Sequence, residues 1–374
     1  MKRILGLVLA VLLIGGVVAA VVAGRDEQDT STATTTVRGL IGSEKADFFA
    51  DPDVVKALAA KGYTVKPESS GSWAMEHRDL KGYDFAFPGS TAPAGELAKK
   101  YGVKGTLPRP FYSPLVVVAQ RDAVDVLAAN ELADVGGKDG DKGTGKSTGR
   151  STGKSTGILR TGAFLKAAEA DRTWQQLKGA DQHAELTGTL FITTSDPLSS
   201  NSGALYLAAA SYVADGGRVA ANKADIARTA PLMRKLIGVQ GAQQSSSDAP
   251  FRDFVSGVGN PLVLVYESQV AALLARGEDV GDLTVLYPDT TVSSDHTLVP
   301  LTPEGRALGE LLGTDERLRE LAVRHGFRPQ GAAREFTAAY AKHTTYLNHR
   351  LTGVRQAPVP TSTVLHEMAR RARG

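Results

Sequence analysis

Thr193-Thr194-Ser195-Asp196-Pro197-Leu198-Ser199-Ser200-Asn201-Ser202-Gly203 runs straight into Ala204-Leu205-Tyr206-Leu207-Ala208-Ala209-Ala210-Ser211-Tyr212-Val213. Hydroxyls, an amide and one glycine thus gather where an Ala/Leu-rich helix begins. The first backbone N–H groups of a helix have no intrahelical acceptor, and its dipole is positive at that end. One Ser or Asn suffices as a cap, so four polar residues and a glycine at positions 199–203 predict a loop that grips a ligand, with Ser200, Asn201, Ser202 and Gly203 at its heart. Leu190-Phe191-Ile192 just before it reads as a short buried strand. The order strand, polar loop, helix places such a loop at the carboxyl edge of an α/β sheet.

The same order recurs upstream. Val37-Arg38-Gly39-Leu40-Ile41-Gly42-Ser43-Glu44 predicts a strand with a polar tip at Ser43. Asp51-Pro52 then supplies an N-cap and a proline at the first helical position, and Gly62 a stop. Tyr63-Thr64-Val65 predicts a second strand, followed by the polar loop Ser69-Ser70-Gly71-Ser72. Tyr83-Asp84-Phe85-Ala86-Phe87 predicts a third, with Gly89-Ser90-Thr91 at its end. In a parallel sheet the three loops share one edge and line a cleft. Pro114-Leu115-Val116-Val117-Val118-Ala119 reads as a strand leaving this first unit. Residues 261–268 read as a further strand with a polar tip, residues 296–301 as a return strand, and residues 303–312 and 315–325 as two helices.

Lys2-Arg3 precede an apolar run over residues 4–23, and Asp26, Glu27 and Asp29 follow it. Positive charge stays on the cytoplasmic side, so the rest of the chain is expected outside the membrane. The run is long enough to span a bilayer, which predicts a retained transmembrane anchor over residues 1–24; Gly15-Gly16 and Val21-Val22-Ala23 keep a cleaved signal peptide open as the alternative. The sequence has no cysteine, which excludes lipidation at the N-terminus, disulfides and thiolate chemistry. With 43 Lys and Arg against 40 Asp and Glu the net charge is small, and no basic stretch is interleaved with aromatics, so nucleic acid is not an expected partner.

Gly140-Asp141-Lys142-Gly143-Thr144-Gly145-Lys146-Ser147 matches the phosphate-loop pattern. Asp134-Val135-Gly136-Gly137-Lys138-Asp139 before it does not read as the buried strand such a loop needs, nor the repeat after it as a helix. Lys/Arg-Ser-Thr-Gly recurs from Lys146, Arg150 and Lys154, so low-complexity repetition accounts for the match and for the three G-x-S-x-G strings in the same tract. A solvated insertion over residues 136–157 is expected in place of a nucleotide or hydrolase site. The seven histidines have no metal-site spacing, and no acid–base constellation emerges, so neither a metal, a cofactor nor catalysis is expected.

The run 193–203, the strand Leu264-Val265-Tyr266-Glu267-Ser268, the segments Tyr287-Pro288 and Ser294-Asp295-His296-Thr297-Leu298-Val299-Pro300-Leu301, and Leu321-Ala322-Val323-Arg324-His325-Gly326-Phe327-Arg328-Pro329 together resemble type II extracellular solute-binding proteins, nearest the branch related to molybdate- and phosphate-binding components of ABC transporters. The resemblance implies an α/β fold: a two-lobed type II periplasmic-binding-protein-like clamp with hinge strands, preceded by the N-terminal transmembrane or signal helix and a linker over residues 25–36. Lobe 1 would comprise residues 37–120 and 287–336, lobe 2 residues 121–286, with a C-terminal extension over residues 337–374. It further implies that Ser43, Ser70, Gly71, Ser72, Ser90, Thr91, Ser200, Asn201, Ser202, Gly203, Tyr266 and Glu267 face a small polar or anionic solute, that an ABC permease or another membrane partner receives it, and that the protein is a monomer. The alternative is a membrane-anchored sensor or assembly factor that uses the same clamp for a protein partner.

Overall fold

The computed structural model describes residues 34–135 and 155–374. The apolar run 4–23 and most of the 136–157 tract lie outside the described residues. No helix among the described residues is long and apolar enough to cross a membrane.

Lobe 1 is built on a four-stranded sheet. Strands β1 (Thr35–Gly42), β2 (Tyr63–Ser70) and β3 (Phe85–Phe87) are parallel, with β1 between the other two. Val37, Leu40 and Ile41 of β1 are fully buried. Asp51 caps the helix Pro52–Ala60 between β1 and β2 by accepting the Asp53 amide at 2.7 Å, as the Asp-Pro pair predicts.

Strand β4 (Phe111–Ala119) carries the chain from one lobe to the other. Strands β5 (Ala133–Val135), β6 (Thr156–Leu159), β7 (Leu262–Tyr266) and β8 (Thr284–Pro288) belong to lobe 2. Strands β9 (Thr290–Thr291), β10 (Ser293–His296), β11 (Val299–Pro300) and β12 (Arg328–Pro329) follow on the return. Residues 111–114 of β4 pair with β10 and β12, whereas residues 115–119 pair with β7 and β8. The pairing partners of β4 therefore change between Pro114 and Leu115.

Side chains alternate across a strand, and β4 exploits both faces. Leu115, Val117 and Ala119 join one apolar cluster with Leu205, Met233 and Leu264; Val116 and Val118 join another with Phe251, Val270 and Tyr340. A strand covered on both faces reads as a continuous apolar run, as this one does.

Three expectations shift. Residues 190–192 form no strand: the segment makes a single parallel bridge at Thr193 with Val263, fixed by two backbone hydrogen bonds of 2.9 Å. The polar run that follows takes the backbone off the ladder. Thr156 and Gly157, read as the end of the insertion, open β6, where Gly157 packs so close to the Asp134 carbonyl that a Cβ would meet it at 2.6 Å. Residues 296–301 form two short strands, β10 and β11, in place of one.

The C-terminal extension is integral to the fold. Its strand β13 (Arg355–Gln356) pairs with β9. The helix Ser362–Arg373 sinks Val364, Met368, Ala369 and Ala372 into the lobe 2 core. Leu365 on the same helix joins Trp73 of lobe 1 and Ala204 and Ala208 of lobe 2 in one cluster, and His366 meets Trp73 edge-on with ring centroids 4.4 Å apart. Ser362 hydrogen-bonds Glu96 of lobe 1. Because Leu365 is 1% exposed, Leu365→Ala should lower unfolding free energy by about 2–4 kcal/mol in urea titration. A change below 0.5 kcal/mol would show that the extension is only loosely attached.

Candidate functional site

Parallel strands of lobe 1 deliver their loops to one edge, and lobe 2 meets that edge. Asn201, 2% exposed, is the hub. Its Oδ1 accepts from Ser90 Oγ of lobe 1 at 2.5 Å, and its Nδ2 donates to Tyr266 Oη of lobe 2 at 3.0 Å and to Ser294 Oγ of the hinge strand β10 at 2.9 Å. Three parts of the molecule are thus tied to one carboxamide. Around it, the Ser199 carbonyl accepts the amides of Trp73 and Ala74 across the lobes, and Ser72 Oγ accepts the Gly89 amide at 2.9 Å. A Cβ on Gly71 would collide with the Ser199 carbonyl, and one on Gly89 would lie 2.9 Å from Asn201 Nδ2. Both glycines are needed for close approach of the lobes.

Ser43, Ser70, Gly71, Ser72, Ser200, Asn201 and Tyr266 line one space between the lobes, of about 10 Å³. That is about the room one water needs. Ser90 reaches the same seam through Asn201. Thr91, Gly203 and Glu267 sit elsewhere, whereas Ser202 stays beside the Tyr266 hydroxyl. Thr91 is exposed on the helix Thr91–Lys100. Ser202 Oγ turns to Ser195 Oγ at 2.6 Å, within a hydroxyl cluster that includes Ser200. Gly203 donates its amide to Ser195 Oγ at 3.1 Å, and its missing side chain makes room for the Ser195 carbonyl. By helix geometry the amides of Asn201, Ser202 and Gly203, which open the helix Asn201–Ala214, have no intrahelical acceptor; the Ser200 side chain caps none of them, and that of Gly203 goes to Ser195.

Glu267 is not a strand tip. It is the first residue of the helix Glu267–Ala275, is fully buried, and forms a bidentate pair with Arg328, at 2.5 Å to Nε and 2.8 Å to Nη2. Tyr287 Oη donates to the same carboxylate at 2.5 Å, and Arg328 also donates to the carbonyls of Asn348 and His349. The carboxylate is saturated on the side away from the seam.

Sequence reasoning missed a buried charge cluster under the seam. Lys45 Nζ contacts Glu44 and lies 3.1 Å from His296 Nδ1, which is 3.2 Å from Glu44 Oε1. Burial alone would raise the Glu44 pKa, but the Lys45 ammonium and the His296 ring outweigh it and hold the carboxyl well below its usual range. Burial pulls Lys45 down against the attraction of Glu44. Burial, reinforced by the Lys45 charge, lowers His296 to about 4, so the ring is neutral near pH 7, among Phe87, Phe111, Tyr266 and Phe327. The Lys next to the strand tip was the one signal for this cluster; its histidine lies 251 residues away.

Beside the seam, and sharing Ser43, Glu44 and Ser246 with it, a groove of about 680 Å³ runs between the lobes. Its walls are residues 43–47 and His325 on one side and residues from 246 to 278 on the other.

No family model and no curated protein sequence matches the chain. Solved structures do. The sulfate-binding protein SubI from Mycobacterium tuberculosis superimposes with a TM-score of 0.53 at 18% identity, over 87% of this chain and 92% of that one. A periplasmic thiamin binding protein gives 0.55 at 12% identity, over 93% and 99%. The periplasmic binding protein AfuA from Actinobacillus pleuropneumoniae, with fructose-6-phosphate bound, gives 0.55 at 12%, over 91% and 97%. The fold is therefore that of the type II periplasmic solute-binding proteins, in agreement with the sequence resemblance.

Two outcomes follow from the buried charges. Arg328→Met strands the Glu267 carboxylate and should destabilise by about 3–5 kcal/mol, with Glu267→Gln added to it restoring part of the loss in denaturant titration. An additive double variant would mean the pair is uncoupled. For His296 the folded pKa lies below the ordinary 6.5, so the unfolded chain binds the proton more readily. Its contribution is complete above pH 6.5 and is lost as pH falls toward 4, on the order of 3 kcal/mol in all. His296→Gln should flatten the fall in stability between pH 6.5 and 4; an unchanged slope would remove His296 as its source.

Proposed function

We propose that this chain is an extracytoplasmic solute-binding protein that captures a small polar or anionic solute between its lobes, without catalysis, for ABC-type import. The observation that carries the reading is the Asn201 network, which joins lobe 1, lobe 2 and the hinge through groups that hydrogen-bond a solute equally well. When the lobes part about β4, the Ser90 hydroxyl, the Asn201 carboxamide and the Tyr266 hydroxyl lose one another and become available together. The first-turn amides of the helix Asn201–Ala214, which Ser200 does not cap, add donors and a positive dipole end, which favours negative charge. Burial raises the Tyr266 pKa, so the phenol is a neutral hydrogen-bonding group at the seam.

Three comparison proteins are described by their solutes, sulfate, thiamin and fructose-6-phosphate, each small and polar or charged. Export of the folded portion, held by residues 4–23 or released after their cleavage, supplies the compartment in which such a protein works. The experiment is a thermal-shift panel of sulfate, phosphate, molybdate, sugar phosphates, amino acids and sugars on the full-length protein. A solute at a hundred times its Kd adds about 2.7 kcal/mol. Asn201→Asp should keep the fold and weaken an anionic solute at least tenfold, about 1.4 kcal/mol. No stabilisation by any member of the panel, or the same stabilisation in the variant, would overturn the proposal.

A further inference from the structure

The seam has space for about one water, while the groove beside it falls in the range of sites that hold organic ligands. Most charges in the groove neutralise one another. Glu44 pairs with Lys45, and Arg276 with Asp47 and Glu278. Two do not. Asp248 and Arg252, one turn apart on the helix Asp248–Val255, both line the groove, and neither has an ion-pair partner among the described residues. Asp248 receives only neutral donors: Gln269 Nε2 at 2.9 Å and the Ser43 hydroxyl. Burial, the largest influence, raises its pKa against the Ser43 hydrogen bond and the more distant Arg252 charge, so no cation contacts this carboxylate directly.

An independent sign comes from Ser268. It is 2% exposed, lines the groove, and its Oγ has no hydrogen-bond partner. A buried hydroxyl without a partner is costly unless something else supplies one. Phe251, Ala272 and Leu273 form the apolar part of the same wall.

We infer that the groove is the seat of a zwitterionic organic solute of amino-acid or short-peptide chemistry, its ammonium on Asp248, its carboxylate on Arg252 and a polar atom on Ser268. The inference rests on the proposed solute-binding role and gives it a substrate class. A solute seated there touches Ser43 and Glu44 of lobe 1 and the 246–256 segment of lobe 2, and extends toward the Asn201 seam through Ser43, Glu44 and Ser246, which line both. A zwitterion supplies both missing charges at once. A simple oxyanion supplies one, and would leave Asp248 without a cation.

The test is calorimetric titration of the full-length protein with the twenty L-amino acids and dialanine, with putrescine, succinate and sulfate as probes of a single charge sign. At least one zwitterion should bind tenfold or more tightly than any single-sign probe. Asp248→Asn and Arg252→Gln should each weaken it at least tenfold while leaving the melting temperature without solute within about 2 °C, which shows that both variants fold. Sulfate binding that is lost in Asn201→Asp and kept in Asp248→Asn, with no zwitterion bound, would overturn the groove assignment and leave the solute-binding role standing. Zwitterion binding unchanged in both groove variants would overturn it as well. Absence of binding by every probe would overturn both readings.

Discussion

One strand must satisfy two lobes. The first four residues of β4 are hydrogen-bonded to β10 and β12, and the last five to β7 and β8, so this strand joins two sets of partners. Both faces of its second half are buried, which leaves the strand little freedom to tilt independently of lobe 2. The seam lies beside this change of partners, because β10 carries Ser294 to Asn201 there and β7 delivers Tyr266 from the other side.

The lobes meet over polar groups that bond to each other, backed by a small apolar contact. Asn201, Ser90, Ser294 and Tyr266 replace water for one another, and Trp73 with Ala204, Ala208 and Leu365 adds a dry contact. A net hydrogen bond contributes only about 0.5–1.5 kcal/mol, so such a seam can be replaced at little cost by groups offering equivalent bonds. The C-terminal helix, which touches Trp73 and Glu96 of lobe 1 while sunk in the lobe 2 core, adds to the contact that opening must loosen. On the proposed reading, opening and solute capture would be exchanges of similar energy, the condition under which a clamp responds to a ligand.

Local features were legible in the sequence. Asp51-Pro52 starts a helix, Asp315 caps the helix Glu316–Arg324 through the Leu318 amide, and three strand-to-loop transitions place Ser43, Ser70 and Ser90 on one edge. Tertiary pairings were not. Glu267 looks like a cleft carboxylate until Arg328, 61 residues on, takes it into the core. Gly203 reads as a place for a solute to approach, yet the space is taken by the Ser195 carbonyl, because the polar loop folds back on its own helix. Gly89, Ser294 and His296 acquire meaning only when the return segment lies beside β4, and no local pattern announces that crossing. The 246–256 segment, with the two charges left unpaired in the groove, carries no motif and became visible through the cavity it lines.

The central claim is that the lobes part about β4 and close on a solute. The chain has no cysteine, so spin labels can be placed on Val55→Cys in lobe 1 and Val258→Cys in lobe 2, both well exposed, without background. Electron–electron distance measurements on this pair should show two populations in the absence of solute. Asn201→Ala should enlarge the longer one, and a stabilising solute should collapse it onto the shorter. A single narrow distance, the same with solute, without it and in Asn201→Ala, would contradict the account.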